Sequence, residues 1–260
     1  MLQIYKIGGG ILDKVEQLRI FLERFAAVPA PKILIHGGGR SADELLQRLS
    51  IEPKKYEGKR ITDEHTLRAV VQCYAGELNK QTVAMLQAVG CDALGVSGAD
   101  GNLLRSQRRA VGAIDYGFVG DLLPSGVNVR LLQSLLDLGI VPVICAITHD
   151  GAGQLLNTNA DSIAANVAVA MAQADSSRAV TLTYCFDKKG VLRDVSDDST
   201  LIANINREDY ARLRAEGIVA DGMIPKLDSA FATIAGGVYS VSLQHALLVG
   251  SEVRTEIRAL

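Results

Sequence analysis

Apolar residues along this chain keep two spacings, and glycines mark where one gives way to the other. Leu2–Ile7 is an apolar run of strand length, ended by Gly8-Gly9-Gly10. Leu12–Ala27 then follows a helical rhythm that puts Val15, Leu18, Phe21, Leu22 and Phe25 on one face. Lys32–His36 is a second strand, closed by Gly37-Gly38-Gly39, and the next helix turns Ala42, Leu45, Leu46 and Leu49 inward. Strand, glycine and helix repeated in that order predict right-handed βαβ crossovers and a mostly parallel sheet, an α/β fold.

The rhythm continues downstream. Thr62–Ala88 reads as one long helix or two, Asp92–Gly98 as a strand, and Gly101–Gly120 as an irregular hairpin. Val127–Leu138 is helical, Ile140–Ile147 is a buried strand, and Ser162–Gln173 is an Ala-rich helix whose small residues permit close packing. Ala179–Cys185 is a further strand. Arg207–Glu216 and Lys226–Ala235 are helices, and Val238–Val241 with Ala246–Val249 are late strands. A β-turn-α pattern restarts near residues 174–180, so two lobes are expected, 1–176 and 177–260.

Composition agrees with that class. Hydrophobic residues make up 48% of the 260 positions, aromatics only 5%, and Trp is absent, which suits aliphatic parallel strands covered by helices. A net charge of −2 gives no footprint for nucleic acid or anionic lipid. The basic pairs Lys54-Lys55, Arg108-Arg109 and Lys188-Lys189 read as solvated surface or loop. Cys73, Cys91, Cys145 and Cys185 are widely spaced without a CxxC, against a disulfide framework or a structural zinc. Cys145 reads as a small core residue. No signal-peptide pattern and no bilayer-length apolar run are present, so a soluble cytoplasmic protein without membrane or nucleic-acid partners is expected.

Candidate chemistry concentrates at one helix entry. After the turn His149-Asp150-Gly151-Ala152-Gly153, the run Leu155-Leu156-Asn157-Thr158-Asn159-Ala160-Asp161 opens the Ala-rich helix. Asn157 or Asn159 offers donors and acceptors together to a small polar ligand. Asp161 either caps the helix or positions cations brought from elsewhere. Lys6, beside the first glycine cluster, and Lys226, after Asp221-Gly222-Met223-Ile224-Pro225, are the cations at hand. Each glycine cluster makes either a tight turn or a place where backbone N–H groups meet an anion at a helix N-terminus. No GxxxxGK[ST] occurs, and Gly8-Gly9-Gly10 is not a GxGxxG with an acidic partner, so a phosphate site here has another design.

Five motifs in order, Lys6-x-Gly8-Gly9, His36-Gly37-Gly38-Gly39, Gly58-Lys59-Arg60-Ile61-Thr62, Asn157-x-Asn159-Ala160-Asp161 and Asp221-Gly222-Met223-Ile224-Pro225-Lys226, resemble the amino acid kinase family over nearly the whole chain. Among its members they look like those acting on N-acetyl-L-glutamate. The resemblance implies a three-layer α/β/α sandwich around an open, mainly parallel sheet. It implies an N-terminal lobe for the acyl amino acid and a C-terminal lobe for ATP. The reaction implied is transfer of the γ-phosphoryl of ATP, with Mg²⁺ carried by the nucleotide, to the side-chain carboxylate of N-acetyl-L-glutamate, a step of arginine biosynthesis.

By the same resemblance Lys6 and Lys226 stabilise the moving phosphoryl group and Asp161 holds both lysines. Gly8, Gly9 and the turn at Gly38 serve phosphate oxygens, and Gly38, Gly39, Arg60 and Asn157 bind the acyl-glutamate, Arg60 at its α-carboxylate. His36 is expected to be structural, bonded to backbone. The nucleotide pocket is expected at Asp187, Gly190, Val191, Leu192, Ile218, Val219 and Ala220, although Lys188-Lys189 depart from the usual apolar and small residues, and Arg254-Thr255 stands where Gly-Thr is usual. No metal ligand is assigned to the protein. The chain starts at its first strand, without the extra helix of arginine-inhibited hexameric members, so a homodimer insensitive to arginine is expected.

The physics of that reaction is consistent. A carboxylate with an ordinary pKa of about 4.3 is already ionised at neutrality and needs no general base. The obstacle is charge: two like charges 4 Å apart repel by about 4 kcal/mol at an effective dielectric of 20. Cations and N–H groups must offset it, as in phosphoryl transfer generally. Close variants act on N-succinyl-L-glutamate, whose extra negative charge would draw on Lys59 or the Arg105–Arg109 region, or on N-acetyl-aminoadipate, one methylene longer. A kinase-like regulatory subunit without catalysis is the alternative of a different class.

Overall fold

The computed structural model describes residues 1–29, 31–219 and 223–259. Among them, eight strands form one sheet in the order Asn204–Ile205, Thr255–Ile257, Ser240–His245, Val180–Phe186, Leu2–Ile7, Lys32–His36, Val141–Cys145 and Ala93–Val96. Every neighbouring pair is parallel except Ser240–His245 with Thr255–Ile257. Lys32–His36 and Val141–Cys145 are buried at every position, which is why they read as unbroken apolar runs. Helices cover both faces, giving the α/β/α layering of the amino acid kinase fold.

Packing follows the apolar faces. Helix Val15–Ala27 buries Leu18, Phe21, Leu22 and Phe25, and Phe25 meets Tyr5 edge-on with ring centroids 5.4 Å apart. Helix Ala160–Ala174 lies along Leu2–Ile7 and Val180–Phe186, inserting Ala160, Ala164, Ala168 and Ala172 where larger side chains would hold it off. All four cysteines are buried and unpaired. No described helix is long and apolar enough to cross a membrane.

The sequence missed a second sheet. Leu104–Arg108, Val119–Val127, Ile147–His149 and Leu155–Thr158 close into a small barrel at the edge of the main sheet. The expected strand Ile140–Ile147 therefore divides at Ala146: Val141–Cys145 stays in the main sheet, while Ile147 pairs with Asn157 in the barrel. Thr62–Ala88 is a continuous helical run, but its middle turn, Gln72–Leu78, is π-helical. Ala246–Val249 is not a strand. It contains a 3₁₀ turn, Ala246–Leu248, with the His245 ring accepting from the Leu247 N–H at 3.1 Å. The last strand, Thr255–Ile257, is too short to show a period. The main sheet runs unbroken across the lobe boundary, since Leu2 pairs with Val180.

Barrel and sheet meet at Gly98. Its N–H donates to Ile147 O at 2.7 Å and its carbonyl accepts from the Leu104 N–H at 2.9 Å. A Cβ here would lie 2.8 Å from Ile147 O, Leu104 O and Thr148 Cα, all backbone atoms that cannot rotate away. Gly98→Ala is expected to lower the free energy of unfolding by about 2–3 kcal/mol, read as a lower urea midpoint; an unchanged midpoint would show that the junction yields.

Candidate active site

Three strands of the main sheet and two of the barrel deliver their C-terminal ends to one cavity of 530 Å³. Lys6 stands near the end of the first strand, and Asp161 sits in the first turn of helix Ala160–Ala174. Lys6 Nζ is 2.6 Å from Asp161 Oδ1, and Lys226 Nζ is 3.6 Å from Oδ2 of the same carboxylate. Burial pushes the Asp161 carboxyl up, but the two lysines outweigh it and hold the group below the usual carboxylate range. Asp161 is not the helix cap. Asn159 fills that position, its side-chain oxygen accepting from the N–H groups of Asp161 at 2.8 Å and Ser162 at 3.0 Å. The Asp161 carboxylate is thereby left to the lysines.

The glycine loops form the cavity wall. Gly8 precedes the helical turn Gly9–Leu12, and Gly38 precedes helix Gly39–Arg48, so both loops aim helix N-terminal N–H groups inward. A Cβ on Gly9 would lie 3.4 Å from Gly39 N, so the two loops abut. Gly38 has φ +155°, and a Cβ there would strike Leu78 and come within 2.9 Å of the Tyr74 ring. Both of those side chains belong to the π-helical turn Gln72–Leu78, which thus packs against the second glycine loop. Behind the loop His36 is fully buried. Asn79 Nδ2 donates to His36 Nε2 at 3.0 Å, so Nδ1 carries the proton and donates to Gly37 O at 2.8 Å.

The acyl-amino-acid residues expected from the sequence come together here. Arg60 is buried on the short hairpin Lys55–Tyr56 and Lys59–Arg60; it donates to Asp43 Oδ1 at 2.6 Å and to Gly39 O at 2.7 Å. Only two of its five N–H donors are used by those bonds. Asn157 lines the cavity from the barrel and donates to Thr62 Oγ1 at 3.1 Å. Sequence reasoning missed Tyr74 and Asp43. Arg109, whose basic pair was expected on surface or loop but whose region was also expected to serve an extra negative charge, lines the cavity while bound to Asp121 through Nε and Nη2. Lys55 also lines it and shares Asp43 with Arg60.

A separate, mostly apolar cavity of 260 Å³ is lined by Gly190, Val191, Leu192, Ile218 and Val219, together with Lys188, Val195 and Met223. Five of the expected nucleotide residues thus converge. Asp187 does not line this cavity, and Ala220 lies outside the described residues. Thr255 fixes one wall: its hydroxyl accepts from the Val191 N–H at 2.8 Å and donates to Ile202 O at 2.6 Å. Met223 lines this cavity, and Lys226, one helical turn on, reaches Asp161 at the other.

Comparison with known proteins is consistent with this geometry. The model of the amino acid kinase family matches residues 1–244. An acetylglutamate kinase of Bacteroides fragilis is 46% identical over 257 residues, covering 99% of this chain and 97% of that protein. One from Parabacteroides distasonis is 49% identical over 245 residues, covering 94% of each. Among solved structures, smu.665 from Streptococcus mutans UA159 superposes with a TM-score of 0.79 at 25% identity, covering 100% of this chain and 99% of its own.

Burial holds the His36 imidazole down to about pKa 4 from 6.5, with the nearby Lys80 charge adding to it and the Gly37 bond opposing it. Between those values the unfolded chain binds the proton and the folded one does not. Stability is therefore lost as pH falls from 6.5 to 4, by at most about 3 kcal/mol. His36→Gln is expected to flatten the plot of unfolding free energy against pH in that window. An equal slope in both proteins would contradict the buried neutral imidazole.

Proposed function

The chain belongs to the amino acid kinase family, and from that premise we propose that it transfers the γ-phosphoryl group of ATP to the side-chain carboxylate of an N-acyl-L-glutamate. The names of its relatives make N-acetyl-L-glutamate the reference substrate and arginine biosynthesis the pathway. The observation that carries this reading is the single carboxylate of Asp161 holding Lys6 and Lys226 at a cavity walled by two glycine loops.

In this reading Lys6 and Lys226 face the transferring phosphoryl group from two sides, and Asp161 positions both. The N–H groups at Gly8, Gly9 and Gly38 bind phosphate oxygens, and Mg²⁺ enters with the nucleotide. Arg60 pairs with the α-carboxylate, while Gly38, Gly39 and Asn157 hold the amide. The smaller apolar cavity, at Gly190, Val191, Leu192, Ile218 and Val219, takes the adenine. The cavity residues all fall within 1–162 and those of the apolar cavity within 188–223, which supports the division into an acyl-amino-acid lobe and a nucleotide lobe. Among the described residues the cavity lining has no His or Glu, which suits a nucleophile that is already an anion. Catalysis is then positioning and charge stabilisation.

Hydroxylamine trapping with Mg-ATP tests the reaction: a hydroxamate with an N-acyl-L-glutamate is expected, and none from folded protein would reject it. Lys6→Ala and Lys226→Ala should each lower kcat by about 10²–10³-fold, the usual loss for one preorganised transition-state donor. Near-normal turnover would reject their roles. Arg60→Ala should chiefly raise KM for the acyl amino acid, by about tenfold or more; an unchanged KM would show that the α-carboxylate binds elsewhere. The assembly is proposed to be a homodimer insensitive to arginine, and a hexamer by light scattering or inhibition by millimolar arginine would count against it.

A further inference from the structure

The large cavity has a direction. Its phosphoryl end is marked by Lys6 and Asp161. From there the wall passes to Asn157, whose barrel partner is Val119, and on to Arg109, whose N–H donates to Val119 O at 2.8 Å. Val119 therefore stands between Asn157 and Arg109 along this wall. The hairpin carrying Lys55, Lys59 and Arg60 lines the same cavity. With the side-chain carboxylate at Lys6 and the α-carboxylate at Arg60, as in the reading above, the wall left for the acyl group is that of Val119 and Arg109.

That end is unlike a pocket for a methyl group. Among the described residues, the aliphatic side chains in the cavity wall are those of Val119, Ala146 and Ala160. Four cations line the wall away from Lys6: Lys55, Lys59, Arg60 and Arg109. Asp43 serves both Lys55 and Arg60, and Asp121 serves Arg109, while Lys59 has no ion-pair partner among the described residues. Four cations against two carboxylates leave two positive charges. The glutamate α-carboxylate neutralises one of them. Arg109 is already aimed: Asp121 holds Nε and Nη2, and the guanidinium lies 5.4 Å from the Tyr116 ring centroid. Its Nη1 donors are left for a ligand. A terminal methyl would meet these hydrated heads at a desolvation cost, whereas a carboxylate would be met by charge-assisted bonds.

We infer that this end of the cavity recognises a second carboxylate, so that the preferred substrates are N-acyl-L-glutamates whose acyl chain ends in a carboxylate, with Arg109 and Lys59 determining that specificity. This rests on the phosphotransferase reading above and refines its substrate class.

The test compares N-succinyl-L-glutamate and N-acetyl-L-glutamate as hydroxamate-forming substrates of the full chain with Mg-ATP. The expected ratio of kcat/KM values favours the succinyl compound by about tenfold or more, the usual weight of a hydrogen bond to a charged group. Arg109→Met and Lys59→Met should each lower the ratio through KM, and Arg109→Lys should restore part of it. Thermal melts of each variant identify one that fails to fold, and the other then carries the test. A wild-type ratio of one or less, or a ratio unmoved by either Met substitution, would overturn the inference while leaving the kinase reading intact. No hydroxamate from either compound would instead remove the phosphotransferase reading itself.

Discussion

Two ammonium groups must face the same few ångströms of space before either can steady a phosphoryl group in transit, and alone they would repel. Asp161 resolves that conflict with one carboxylate whose two oxygens take one lysine each. Lys6 comes from the first strand and Lys226 from the helix Ile224–Ala235. A half-buried anion is itself costly, and it is stable here because both partners are present. Removal of any one member leaves the others uncompensated, so the three act as a unit and their mutational effects should not add.

The fold exists around this unit in a definite way. Parallel strands end together on one side of the sheet, and each βα turn places a helix N-terminus beside that edge. The two loops abut at Gly9 and Gly39, and the second loop lies against Leu78 and Tyr74 only because Gly38 lacks a side chain. His36 and Asn79 then lock the second loop from beneath with two hydrogen bonds, of which the one accepted by Nε2 needs a neutral ring. The small barrel adds the remaining wall, supplying Asn157 from one strand and Arg109 from just beyond the end of another.

Much of this was legible in the sequence. Strands buried on both faces read as continuous apolar runs, and the glycines after them marked the loops. Lys6, Asp161, Asn157 and Arg60 stood in motifs and are found together at one cavity. The barrel was not legible, because its strands are short, partly polar and paired with partners distant in the chain, as Asn157 is with Val119. Asp43 looked like any helix carboxylate until the hairpin brought Arg60 and Lys55 onto it. Arg109 looked like surface because a basic pair carries no sign of which way it faces. Thr255 was marked only as part of a departure from a family motif, and nothing local showed its role, which is to hold Val191 from the far end of the chain.

The central claim is that this charge arrangement directs the γ-phosphoryl group onto a carboxylate oxygen and not onto water. Substrate labelled with ¹⁸O in its side-chain carboxylate tests that path atom by atom. The acyl phosphate would keep a labelled bridging oxygen, and hydroxylamine attack at the acyl carbon would expel it with the phosphate. The account predicts inorganic phosphate carrying one ¹⁸O, measured by mass spectrometry. Unlabelled phosphate released in step with ADP would mean that water is the acceptor and would contradict the account.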